Sequence, residues 1–247
     1  MRSSIKKIAE AGLTLVVMSV FIMCYYVTKD INAVVTEKAS VAVSEVQSGF
    51  PEILLDAGHG GFDGGCVGVN GEVEKDINLA VTKSVYYLCS IFGYHTSSTR
   101  LDDSALNDSG IEGIYDMKQS DMKKRLEFFN SSDNAVCLSI HQNQFTDEQY
   151  WGSQMFFSNK NELNEALALD IQQSIVSNIE FQSNNTREVK HADDMYVLST
   201  ENPSVMVECG FLSNAEEAGK LCDAGYQKQM ALSVFLGLNK FIGENYI

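Results

Sequence analysis

Residues 135–143 read Ala135-Val136-Cys137-Leu138-Ser139-Ile140-His141-Gln142-Asn143, a nearly continuous apolar run that ends on an imidazole. A strand with one wet face alternates apolar and polar side chains, whereas a run of this kind belongs to a strand buried on both faces, as in the sheets of α/β domains. Such sheets bind their ligands beyond the carboxyl ends of the strands, which is where His141 falls.

The same pattern recurs on either side. Upstream, Ile53-Leu54-Leu55 is followed by Asp56-Ala57-Gly58-His59-Gly60-Gly61-Phe62-Asp63-Gly64-Gly65, a turn whose glycines let the backbone approach a ligand and which presents His59. Downstream, the short run Val205 to Glu208 closes on a carboxylate. Ile77, Val81, Val85, Leu88 and Phe92 recur at three- and four-residue steps and predict a helix that begins near Glu72 or Glu74. Met122, Leu126 and Phe129 mark a second helix, Leu163, Leu167, Ile171 and Ile175 a third, and Tyr226, Met230, Val234, Leu238 and Phe241 a closing one. Residues 94–99, 152–157 and 195–198 read as further strands, and 103–117 as a polar loop. Alternating strands and helices predict one α/β domain with a mostly parallel or mixed central sheet of about six strands and helices on both faces.

The start of the chain is of another kind. Arg2, Lys6 and Lys7 precede an apolar stretch from Ala11 to Val27, long enough to cross a bilayer. The cationic flank stays inside, so the rest of the chain is exported. No small-x-small cleavage site comes after Val27, so residues 1–27 are expected to be an uncleaved signal anchor rather than a cleaved signal. A polar stalk over 28–50 and a catalytic domain over 51–247 complete the expected division.

Formal net charge is −15; residues 1–30 hold four basic and two acidic side chains, so the exported part carries −17. Such a surface repels phosphate backbones and excludes nucleic acid as a partner. The six cysteines, Cys24, Cys66, Cys89, Cys137, Cys209 and Cys222, lack paired spacing and predict no disulfide framework. Most are read as small buried apolar residues, with sensitivity to oxidation the alternative for Cys66 and Cys209, which fall near the candidate site.

Two imidazoles, a carboxylate and a separate glutamate are the parts of a hydrolytic zinc site, which takes three protein ligands and keeps one position open. His59, Glu74 and His141 are the candidate ligands and Glu208 the candidate catalytic residue. Each has a plainer alternative. An isolated histidine is often a hydrogen-bonded structural residue, and Glu74 can simply favour the helix dipole, as Glu72 does. Glu208 can be a structural carboxylate, although an acid closing an apolar run favours function. Asn143 either orients substrate or caps a turn; Arg187 either binds a substrate carboxylate or is a surface cation. His95 and His191 have polar neighbours and are read as exposed.

Four ordered blocks sharpen this: Leu55 to Gly61, Glu74-Lys75-Asp76, Ser139 to Asn143, and Val207-Glu208-Cys209-Gly210-Phe211-Leu212-Ser213-Asn214. Together they resemble the signature blocks of the zinc-dependent N-acetylmuramoyl-L-alanine amidases, across residues 53–242. The resemblance implies one zinc ion per chain, bound by His59, Glu74 and His141, with Glu208 catalytic. It also implies hydrolysis of the amide joining the lactyl group of N-acetylmuramic acid to L-alanine, Glu208 taking a proton from water and returning it to the alanine nitrogen. Ala57, where many members have proline, and Gln142 and Gln144, where small residues are commoner, depart from the pattern and bear on substrate fit.

Asn185-Thr186-Arg187, Tyr196-Val197-Leu198 and Tyr226-Gln227 resemble the germination-specific branch of that family, from spore-forming bacteria. That likeness implies a step of spore cortex maturation leading to muramic δ-lactam, together with a muramic acid deacetylase, in the space between forespore and mother-cell membranes. Besides the peptidoglycan substrate and the membrane reached through the N-terminal segment, an extracytoplasmic protein partner is the remaining expectation. A vegetative wall amidase, a zinc peptidase cutting within the stem peptide, and a peptidoglycan-binding or regulatory relative without turnover are the alternatives. Retention of all four key residues argues against the last.

Overall fold

The structure, a computed structural model, describes residues 49–246. The expected anchor, nearly all of the stalk and Cys24 lie outside the described residues. Among the described residues no helix is long and apolar enough to cross a membrane.

Six strands, β1 (Glu52–Ala57), β2 (Thr96–Ser98), β3 (Ala135–Asn143), β4 (Gln154–Phe157), β5 (Lys190–His191) and β6 (Ser204–Phe211), form one sheet in the order β2-β1-β3-β6-β4-β5. The first four in that order are parallel; β4 runs antiparallel to β6, and β5 parallel to β4. The helices are α1 (Glu74–Ile91), α2 (Ile114–Phe129), α3 (Asn164–Asn178), α4 (Ala215–Leu221) and α5 (Ala224–Asn245). The expected mixed α/β sheet of six strands is the observed one.

Central position explains the apolar runs. Every residue of β6 is buried, as is β3 from Ala135 to Ile140. Alternate side chains serve two layers. Ile53, Leu55, Val136, Leu138 and Ile140 join the large core that includes residues of α1, α3 and α5. Leu54, Cys137, Phe156 and Met206 join a smaller one with Phe129 of α2. Phe129, Phe235 and Phe241 are fully buried, each contributing about 1.5–3 kcal/mol of apolar burial.

Two expectations are corrected. Residues 195–198 are not a strand: Tyr196–Leu198 is a 3-10 turn, with Leu198 N–H donating to Met195 O and Ser199 N–H to Tyr196 O. Val197 and Leu198 are apolar because the turn presses into the smaller core. The remaining strand is β5, two exposed residues with no apolar signal, paired to Phe156 and Phe157. On α2, which begins inside the expected 103–117 loop, Met122 is exposed and the buried positions are Asp121, Arg125 and Phe129. That helix is held to the sheet through charge as much as through apolar packing.

Strand register positions the site. Ala57 pairs with Ile140, His141 with Glu208 and Glu208 with Gln154. His141, Glu208 and Gln154 therefore form one row across three strands, on the face that carries the smaller core, with Gly58 just past the end of β1 beside it.

Candidate metal centre

The glycine-rich turn after β1 holds His59 at φ 61°, a left-handed conformation that a residue with a Cβ adopts at a cost. Two buried guanidinium groups maintain it. Arg125 donates to Ala57 O at 2.8 Å and His59 O at 2.7 Å. Arg100 donates to Ala57 O at 2.9 Å and Gly58 O at 3.0 Å. Three successive carbonyls are thereby fixed. Arg125 is paired in turn with Asp56 and Asp121, and Asp56 also accepts from Ser139 and Thr99.

His59 Nδ1 lies 2.9 Å from Asp63 Oδ2. An ionised carboxylate only accepts, so Nδ1 carries the hydrogen and Nε2 is left as a ligand atom, 3.2 Å from Glu74 Oε2. Partial burial would raise the Asp63 carboxyl, yet hydrogen bonds from His59 and Lys118 outweigh it and hold it down at about 2.

Glu74 opens α1 and is almost fully buried. Its Oε2 accepts from Cys66 N–H at 2.8 Å; its Oε1 accepts from Asn78 Nδ2 and Gln142 N–H and lies 2.9 Å from His141 Nδ1. Burial would raise this carboxyl, but the contacts with His141 and His59 hold it well below the ordinary range. His141 lies against Gly58: a Cβ there would stand 2.2 Å from His141 Nε2. Only a glycine at position 58 leaves room for the imidazole.

One donor atom each from His59, Glu74 and His141 lies within 4.8 Å of the others. Two imidazole nitrogens and a carboxylate oxygen, converging from three chain segments, fit a zinc ion in donor type and number. Beside them Glu208 is 9% exposed, and its Oε2 has no hydrogen-bond partner. Burial pushes its carboxyl up to about 7, with Glu74 adding to the rise and His141 and His59 opposing it.

All four expected residues thus meet at one end of the sheet. Asn143 stands two residues beyond His141, paired with Phe211 after a bulge. Arg187 lies past β4, donating to Trp151 O at 2.8 Å and Gln154 Oε1 at 3.2 Å. His95 and His191 are exposed and apart from the cluster. Asp63, Arg100 and Arg125 are missing from the residues singled out by sequence: Asp63 sits four residues after His59, and the two arginines give no local signal. Burial pushes the Cys66 thiol far up and Cys209 to about 12, which disfavours the reactive thiolate at both.

Sheet and site define an α/β domain in which two strand ends and the start of α1 bring together a His-Glu-His cluster able to hold a metal ion, beside a buried glutamate. The chain belongs to the N-acetylmuramoyl-L-alanine amidase family, whose model matches residues 53–240. It is 34% identical over 193 residues to the germination-specific N-acetylmuramoyl-L-alanine amidase of Bacillus subtilis (strain 168), covering 78% of this chain and 80% of that protein. It is similar to the CwlD amidase from Clostridioides difficile, whose structure is in complex with the GerS lipoprotein, at 35% identity and a TM-score of 0.76 over 79% of this chain and 100% of that one. AmiC2 of Nostoc punctiforme aligns at 25% identity and a TM-score of 0.67, covering 78% of this chain and 97% of that one. The protein is accordingly an N-acetylmuramoyl-L-alanine amidase, and its substrate is peptidoglycan. That substrate lies outside the cytoplasm.

Proposed function

We propose that this amidase acts in spore cortex maturation, with one zinc ion held by His59, Glu74 and His141 and with Glu208 moving the proton. The observation that carries the chemistry is the buried, unpartnered Glu208 carboxyl one strand away from the three converging donors. What zinc supplies when bound is Lewis acidity toward water and the scissile carbonyl. Glu208, a buried carboxyl with no hydrogen-bond partner at Oε2, accepts a proton from the attacking water and returns it to the departing alanine nitrogen. Asp63 holds the His59 ring by its Nδ1, and Cys66 N–H, Asn78 and Gln142 N–H hold the Glu74 carboxylate, which keeps the site from rearranging between those steps.

The cortex role is supported by likeness to the germination-specific amidase and to CwlD. It implies a muramic acid deacetylase acting on the same strand to complete the δ-lactam. The lipoprotein in the CwlD complex supports an extracytoplasmic protein partner for this chain as well. Residues 1–27 are proposed as the membrane anchor, 28–50 as the stalk and 51–247 as the catalytic domain, on the sequence pattern alone.

Reconstitution tests the reading. Purified peptidoglycan is treated with the zinc-loaded protein, and then with a muramic acid deacetylase. Release of peptides beginning with L-alanine, followed by muramic δ-lactam in the glycan, is expected. Peptide release without δ-lactam would overturn the cortex role; peptides cut internally would overturn the choice of bond.

A further inference from the structure

The row that carries the chemistry does not stop at Glu208. On its far side stands Gln154, and Gln154 Oε1 accepts a hydrogen bond from Arg187. The guanidinium is stacked 4.4 Å from the Phe211 ring centroid and 5.5 Å from that of Tyr150. Its Nε and Nη1 are spent on Trp151 O and Gln154, and no hydrogen bond within the described residues engages Nη2. Lys190 of β5 extends beside it, over the Phe156 ring. Arg187, Lys190, Asn143, Tyr150, Gln154 and Phe211 line one open cavity of about 280 Å³.

Charge makes this cavity unusual. The described residues carry 13 basic and 29 acidic side chains, and most of the basic ones are ion-paired. Arg187 and Lys190 have no ion pair among the described residues. The carboxylate near Arg187, Glu217, is occupied by the N–H groups of Gly152 and Phe211 and by Gln182 Nε2. Two unneutralised cations facing one hollow in a strongly acidic domain form a site for an anion that comes from outside.

Resting on the amidase reading above, we propose that this cavity binds the first free carboxylate of the stem peptide, that of the γ-linked glutamate following L-alanine. Reach agrees. Glu208 and the Arg187 position are separated by about two strand spacings, on the order of 10 Å. A carboxylate two residues past the scissile amide is about 7 Å away along an extended chain, and the free Nη2 and the flexible Lys190 stem close the rest. The peptide then runs along the row from His141 toward β5, with Tyr150 and Phe211 setting the plane of the guanidinium. Arg187 and Lys190 are specificity-determining residues in this arrangement and take no part in bond breaking.

The test compares kcat/KM of the zinc-loaded protein on two muramoyl tripeptides that differ only in that group, the free α-carboxylate of γ-D-glutamate against its amide. Preference for the acid by roughly tenfold or more is expected from a charge-assisted contact. Arg187→Gln and Lys190→Gln should each bring the ratio toward one, a change that mere structural damage would not produce. Should Arg187→Gln fail to fold, the exposed Lys190→Gln decides. Equal cleavage of acid and amide by the wild type, or an unchanged ratio in the variants, overturns the subsite alone. Cleavage of neither tripeptide overturns the amidase reading and the subsite with it.

Discussion

His59 Nδ1 and Asp63 Oδ2 are 2.9 Å apart, and this contact fixes which imidazole nitrogen faces Glu74. Asp63→Ala frees the ring to turn and removes the acceptor that makes Nε2 a better ligand. Zinc affinity should fall by about 10–100-fold, read by competition with a chromophoric chelator, while the fold by circular dichroism stays the same. Unchanged affinity would show that Asp63 does not orient the ring.

Gly58→Ala tests the packing of the second imidazole. The added methyl would stand 2.2 Å from His141 Nε2, so the ring must leave its place between Gly58 and Glu74. Loss of zinc binding is expected, with about 1–3 kcal/mol of stability, measured by metal analysis and urea unfolding. A variant that binds zinc normally would show that His141 has room the structure does not indicate.

Arg125→Met removes the clamp on the His59 turn. Asp56 and Asp121 are left buried without their cation, and the carbonyls of Ala57 and His59 lose donors. The expected cost is about 3–5 kcal/mol in chemical denaturation. A loss below about 1 kcal/mol would mean that Arg100 alone holds the turn.

Glu217 gives a pH signature. Burial pushes its carboxyl up to about 7 against hydrogen bonds from Phe211 and Gly152, from an ordinary value of 4.5. The folded state therefore binds the proton more tightly than the unfolded state. The contribution is fully present below pH 4.5 and is lost as pH rises through 7. Wild-type stability measured against Glu217→Gln should fall by on the order of 3 kcal/mol between about pH 4.5 and 8. A difference that rises with pH would contradict the sign.

Much of this molecule was legible as sequence because burial on both faces leaves an unmistakable run, as in Ala135 to Ile140 and Val205 to Val207. Periodicity placed the helix start near Glu72 or Glu74, and only the Lys75-Asp76 that follows singled out Glu74, which the structure shows to be the first helical residue. Arg100 and Arg125 were not legible, since each acts on carbonyls some 42 to 68 residues away and no local pattern records such a contact. Met122 misled because apolar spacing marks which face can be buried, whereas Arg125 and Asp121 decide which face is. β5 was illegible for the opposite reason: two exposed residues at a sheet edge carry no periodicity at all.

The most direct test of the central claim is turnover of purified peptidoglycan by the Glu208→Gln variant, with zinc content determined on the same sample. Zinc is expected to be bound as in the wild type through His59, Glu74 and His141, and release of L-alanine-terminated peptides to be reduced by about 10²–10⁴-fold. Turnover within a few-fold of the wild type, or loss of the metal, would contradict the assignment of Glu208 as the group that moves the proton.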